Sequence, residues 1–137
     1  MKRSDYPTVK LKLADHWRDD GQCFVDGQNS WDVQTIWDAA KDLPVFELPI
    51  IGLNTAIGTW GPDMTFLDFV SHAKLMNTAD MSYPIILDPT GYIADGRHRL
   101  AKAICNGDRT IKACRLMYMP EPDTVYDEDG NTVEKDD

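Results

Sequence analysis

Five residues, Asp95-Gly96-Arg97-His98-Arg99, set three basic side chains directly after a glycine within the stretch PIILDPTGYIADGRHRLAKAIC, residues 84 to 105. The apolar spacing of Leu100, Ala103 and Ile104 predicts a helix from Arg97 to about Asn106, so the basic cluster falls in its first turn. A helix N-terminus carries unpaired amides and about half a positive charge, and each cation placed there costs roughly 0.3 to 1 kcal/mol. Local stability alone would select acids at these positions. A bound anion reverses the balance, because amides, dipole and guanidinium groups then converge on one charge and Gly96 permits close backbone approach. The chemistry implied is the binding of phosphate.

Within that reading Arg99 clamps the phosphate and the amides of Gly96 to His98 cradle it. Asp95 has two roles open to it: to hold a magnesium ion or orient a water, or to act as an N-cap or a partner for Arg99. His98 either bonds phosphate or faces solvent. Lys102, one turn further on, either extends the basic face or is simply exposed.

Positioning this cluster takes a strand, a turn, a strand and a helix in quick succession. Residues 84 to 87 form a short apolar strand, Asp88-Pro89-Thr90-Gly91 a turn, and Tyr92-Ile93-Ala94 the returning strand of a hairpin. Gly107 stands where a left-handed C-cap belongs, and TIKACRLMYM alternates as a closing strand. Upstream, TVKLKLA alternates Val9, Leu11 and Leu13 with polar residues, a half-buried strand expected to pair with QCFVDG. Ser30 is the expected N-cap of a helix with Asp32 in its first turn and Val33, Ile36, Trp37 and Ala40 inward. VFELPIIGL is a short apolar strand interrupted at Pro49, hence near an edge or a bend. NTAIGTWGP is a loop, and loops of that length are often functional; its Trp60 either helps to cover a ligand or belongs to the core. Asp63 or Thr65 caps a second helix over FLDFVSHAKLM, with Phe66, Phe69, Val70 and Ala73 inward.

The whole chain has 137 residues, 42% of them hydrophobic, which is enough apolar material for one core. The fold class expected is α+β: a small single domain with helices packed on a mixed sheet. No apolar run reaches the roughly 20 residues of a membrane helix, and MKRSDYPTVK lacks a secretory apolar segment, so a cytoplasmic location is expected. Cys23, Cys105 and Cys114 show no CxxC spacing, and the three histidines form no HExxH-type pair, which leaves no transition-metal motif. The net charge of −9 is unevenly placed. Residues 121 to 137 hold eight acids against Lys135, while residues 1 to 120 carry 15 acids and 13 bases, a net of −2. The acidic segment reads as disordered or as a loose hairpin about DEDGN.

GYIADGRHRLAKAICNGDRTIKACRL resembles the ParB/sulfiredoxin-like superfamily, in which an apolar strand, a turn and a strand ending in Asp-Gly or Gly-Gly precede a helix opening with GxxR, then a glycine and a final strand. The likeness covers about residues 82 to 116 and, with LPVFELPIIGLN, extends back to residue 43. It implies a core over 43–119, an N-terminal extension over 1–42 and an acidic, disordered tail over 120–137. It also implies that the helix start binds the phosphates of ATP or CTP, with magnesium as the companion ion. By position Gly96 and Arg99 match the motif's glycine and arginine, and His98 matches the histidine of DGxHR members. Lys102 replaces the motif's alanine, which bears on helix packing. Arg97 stands where sulfiredoxins carry their catalytic cysteine, which argues against sulfinic-acid reduction.

Two functions of different class follow. The first is a nucleotide-binding single domain, extended to NTP hydrolysis or phosphoryl transfer if Glu47 or Asp95 serves as the catalytic acid or base; the other reading of Glu47 is an exposed strand residue. The second is an adaptor or inhibitor of the kind carried by phages and mobile elements, in which the acidic tail binds a protein partner or imitates DNA. DNA binding by the body is disfavoured by its charge of −2, and no complete DNA-loading clamp is expected.

Overall fold

The computed structural model describes residues 23–58, 60 and 63–134. In chain order these form β1 (Cys23–Asp26), β2 (Asn29–Asp32), α1 (Val33–Ala40), β3 (Phe46–Pro49), a 3-10 turn (Ile50–Gly52), α2 (Phe66–Thr78), β4 (Ile85–Leu87), β5 (Ile93–Asp95), α3 (Arg97–Cys105), β6 (Thr110–Arg115), β7 (Thr124–Tyr126) and β8 (Thr132–Val133). The architecture is α+β, with three helices and two four-stranded sheets.

The sheet that positions the basic cluster has the order β3-β6-β4-β5. It is mixed: β3 pairs antiparallel with β6, β6 parallel with β4, and β4 antiparallel with β5. β4 is internal and all three of its residues are buried, which is why Ile85-Ile86-Leu87 reads as an unbroken apolar run and not as an alternation. Strand pleating then divides the core. Ile85, Leu87, Ile111 and Ala113 pack with Leu100 and Ala103 of α3 on one face. Ile86, Cys114 and Leu116 pack with Ile36 and Ala40 of α1 and Trp31 of β2 on the other. Pro49 ends β3, an edge strand, where a missing amide costs no internal ladder bond.

The second sheet, β1-β2-β7-β8, is antiparallel throughout and departs from the sequence reading. QCFVDG pairs with NSWD on one side, and TVKLKLA, its expected partner, lies outside the described residues. The turn between β1 and β2 is the two-residue loop Gly27-Gln28, with Gly27 at φ +60°. Ser30 therefore sits inside β2, and the N-cap of α1 is Asp32, two residues later. The acidic segment takes the hairpin form: β7 and β8 pair around DEDGN, Asp127 Oδ1 accepts the amides of Asp129 and Asn131, and β7 extends the sheet from β2. Trp31 Nε1 donates to Pro120 O at 2.7 Å and the Asp32 amide to Asp123 Oδ2 at 2.8 Å. Residues from the proposed extension and the proposed tail thus share one sheet.

α2 is capped as expected at Thr65, whose hydroxyl accepts from the Asp68 amide while Asp68 Oδ2 accepts from the Thr65 amide. Its inward face differs from the sequence reading. Ser71 and His72 are buried, whereas Phe66 is 84% exposed and Phe69 and Val70 also face out. Asp68, Ser71, His72, Leu75 and Met76 follow the same i, i+3, i+4, i+7 spacing as the phenylalanine stripe, and contacts with α3 select between the two.

Gly96 joins β5 to α3 at φ +112°, and a Cβ there would lie 2.6 Å from Ile85 Cγ2 and 3.0 Å from Ile85 Cα. Both the backbone conformation and the contact with β4 exclude a side chain. Gly96→Ala should therefore combine a left-handed penalty of about 1–2 kcal/mol with an overpacking cost of about 1–3 kcal/mol. Chemical denaturation should show a loss of about 2–5 kcal/mol, against under about 1 kcal/mol for Gly52→Ala, where an added Cβ would meet nothing within 4 Å among the described residues.

Candidate functional site

α3 starts with Gly96 as its N-cap, which has no side chain to bond the first amides. Successive helical residues rotate by about 100°, so Arg97, His98 and Arg99 leave the axis in three directions. Arg97 Nη1 donates to Gly58 O at 3.2 Å, in the loop ahead of α2. His98 turns to α2, its Nε2 lying 2.8 Å from His72 Nδ1. Arg99 folds back on β5, its Nη2 donating to Asp95 Oδ2 at 2.8 Å, and Trp37 of α1 donates its Nε1 to the same oxygen at 2.8 Å. Three consecutive side chains thus tie the helix start to three separate elements.

Asp95 is consequently the partner of Arg99, with 11% of its side chain exposed. Asp95 Oδ2 accepts one charged and one neutral hydrogen bond, and among the described residues no group of three or more His, Cys, Asp or Glu is placed to hold a metal. Arg99 keeps one feature that the ion pair does not use, a buried Nε with no hydrogen-bond acceptor among the described residues. Lys102 is turned away from the helix start. Its Nζ donates to Asn77 O at 3.2 Å and Ala79 O at 3.0 Å, placing a cation at the carbonyl end of α2 where the helix dipole favours one. Glu47 is exposed on β3, in register with Lys112 of β6. β3 and β5 are opposite edges of the sheet, three strand spacings or about 14 Å apart, so Glu47 is not brought to the helix start.

His72 and Trp37 belong to the site, and sequence reasoning did not place them there. Trp60 lies over the two imidazoles, 4.1 Å from His72 and 4.8 Å from His98 between ring centroids, with planes tilted by 15° and 6°. His72 is buried, and that burial holds its pKa below the usual 6.5 while Asp68 pulls in the other direction. A hydrogen bond between two imidazoles needs one ring nitrogen as donor and the other as acceptor, so the pair accommodates one added proton more readily than two.

Beside Arg97 opens a cavity of about 340 Å³, also lined by Leu53, Asn54, Ile57, Asp88 and Tyr92. Asp88 is a turn anchor: its Oδ1 accepts from the Thr90 amide, the Thr90 hydroxyl and the Tyr92 amide. Asp26 also lines the cavity, so its charge is mixed. No helix among the described residues is long and apolar enough to cross a membrane. No family model, curated protein or solved structure matches the chain.

The histidine pair makes a prediction about acid. In the unfolded chain His72 titrates near 6.5, and in the folded state lower, so the unfolded state binds more protons between the two values. The contribution of His72 is complete above pH 6.5 and is lost as the pH falls below it. The thermal midpoint should fall further between pH 7.5 and pH 5.5 in the wild type than in His72→Gln; equal falls in the two proteins would show that His72 carries none of the acid sensitivity.

Proposed function

We propose that this chain is a nucleotide-binding domain with a ParB/sulfiredoxin-like core, which takes the phosphate of ATP or CTP at the start of α3. The observation that carries the reading is the surroundings of Arg97. It lines a ligand-sized cavity at an uncapped helix N-terminus, and among the described residues its guanidinium has a backbone carbonyl as partner and no carboxylate. The unused Nε of Arg99 on the neighbouring side supports it. So does the element order β4, turn, β5, Gly96, α3, Gly107, β6, which is the order that the resemblance implies.

The reading is one of binding. Phosphoryl transfer or hydrolysis also needs a group to activate a nucleophile. Asp95 is engaged by Arg99 and Trp37, and Glu47 lies across the sheet. No catalytic step is assigned to either.

A second reading, a protein-binding adaptor, draws support from the exposed apolar face of α2 formed by Phe66, Phe69 and Val70. The acidic segment supports it less, because it is built into a sheet and is not a free arm.

Thermal unfolding with ATP, CTP, ADP and sulfate separates the readings. A ligand at 100 times its Kd stabilises the native state by about 2.7 kcal/mol. One of the nucleotides should raise the wild-type midpoint and leave Arg97→Ala unmoved, while Phe66→Ser/Phe69→Ser responds like the wild type. If no nucleotide moves the wild type at millimolar concentration, the phosphate reading fails and the α2 face becomes the leading surface.

A further inference from the structure

Trp60, His72 and His98 make an arrangement that the phosphate reading does not use. The three ring centroids form a triangle with sides of 4.1, 4.8 and 5.1 Å. Imidazoles on opposite faces of the indole would lie much further apart, close to the sum of the two stacking distances. Both therefore lie under the same face, edge to edge, joined by the 2.8 Å bond between His72 Nδ1 and His98 Nε2. The indole covers them as one base covers a base pair, and the pair fixes its orientation from below. Even so, 39% of the Trp60 surface is exposed, and with one face covered that exposure belongs to the other face and the ring edges.

The other ring stack among the described residues, Phe24 on Trp31, lies against a Trp31 that is buried, so it offers no open indole face. Trp60 is also near the candidate phosphate site. Gly58, whose carbonyl Arg97 holds, is two residues away, a span of at most about 7 Å.

We propose that the outer face of Trp60 is a stacking platform for the base of the bound nucleotide, with a purine favoured over a pyrimidine by its larger overlap with the indole. This rests on the phosphate reading above. Stacking is available to any base because each has a π-face, and the two imidazoles supply in advance the orientation that a free tryptophan would lose entropy to adopt.

The test measures the affinities of ATP, CTP and inorganic tripolyphosphate, which lacks a base, for the wild type, Trp60→Ala and Trp60→Phe. ATP should bind the wild type more tightly than CTP or tripolyphosphate. Trp60→Ala should weaken ATP by about 5- to 150-fold, Trp60→Phe by less, and neither should change tripolyphosphate. ATP should also quench a component of tryptophan fluorescence that Trp60→Phe lacks. If tripolyphosphate binds but ATP is no tighter, or Trp60→Ala leaves ATP unchanged, the phosphate reading stands and the platform is overturned. A parallel loss of ATP and tripolyphosphate in Trp60→Ala overturns it too, since the ring would then be acting through the fold. If neither ligand binds the wild type, both readings fall.

Discussion

The contact between Gly96 and Ile85 is the constraint on which the helix start depends. A chain leaving β5 must turn into α3 flush against β4, and the 2.6 Å that a Cβ would leave to Ile85 Cγ2 permits no side chain at the joint. Because the joint sits so close to the buried central strand, the first turn of α3 lies within reach of the loop ahead of α2, of α2 itself and of α1. The rotation of about 100° per residue then sends Arg97 to the loop, His98 to α2 and Arg99 back to Asp95 of β5, where Trp37 of α1 bonds the same oxygen.

This geometry accounts for most of the charge that is unfavourable at a helix N-terminus. Three cations in a first turn cost together about 1–3 kcal/mol. A hydrogen bond to a charged partner contributes about 1.5–3 kcal/mol when shielded from water, and the Asp95–Arg99 pair is largely buried, though Trp37 beside it is not. His98 is absorbed by its pairing with His72, and neither group needs a ligand to be stable where it is. Arg97 is different: its partner is a carbonyl, and its other surroundings are a cavity. The anion-binding argument therefore rests on one residue of the DGRHR motif and an orphaned nitrogen of another, a narrower base than three basic residues in a row suggest.

What was legible in the sequence was whatever short-range physics determines. The unbroken apolar run of β4, the Asp-Pro-Thr-Gly turn, the Thr65 capping box, Gly107 after α3 and the edge position of Pro49 each follow from a few neighbouring residues. The readings that failed needed a partner from afar. Ser30 read as the N-cap of α1, yet it sits inside β2, opposite Thr124 of β7. α2 carries an apolar stripe and a mixed one of the same period, and the mixed one faces α3, where His72 pairs with His98, 26 residues on. Trp37 looked like core on spacing alone, yet its ring nitrogen crosses to Asp95, 58 residues on. No local pattern encodes such pairs, although a histidine and a tryptophan at the margins of apolar stripes are residues whose polar atoms require a partner when they are partly buried.

The proposal that an acidic chain binds an anion looks contradictory until the charge is located. The cavity touches the second sheet at β1, whereas Asp127, Glu128 and Asp129 of the DEDGN turn lead into β8, at the opposite edge in the order β1-β2-β7-β8. Three strand spacings are about 14 Å, beyond the Debye length of about 8 Å at physiological ionic strength. The acids of that turn are thus screened from the helix start, where a phosphate would meet the local field of Arg97, Arg99 and the α3 amides against that of Asp26 and Asp88. Asp88 is drawn into three hydrogen bonds from its own turn, which stabilise its charge in place and weaken its reach into the cavity. The balance at the site is therefore set by residues within one Debye length of Gly96, and the overall charge of the chain has little bearing on it.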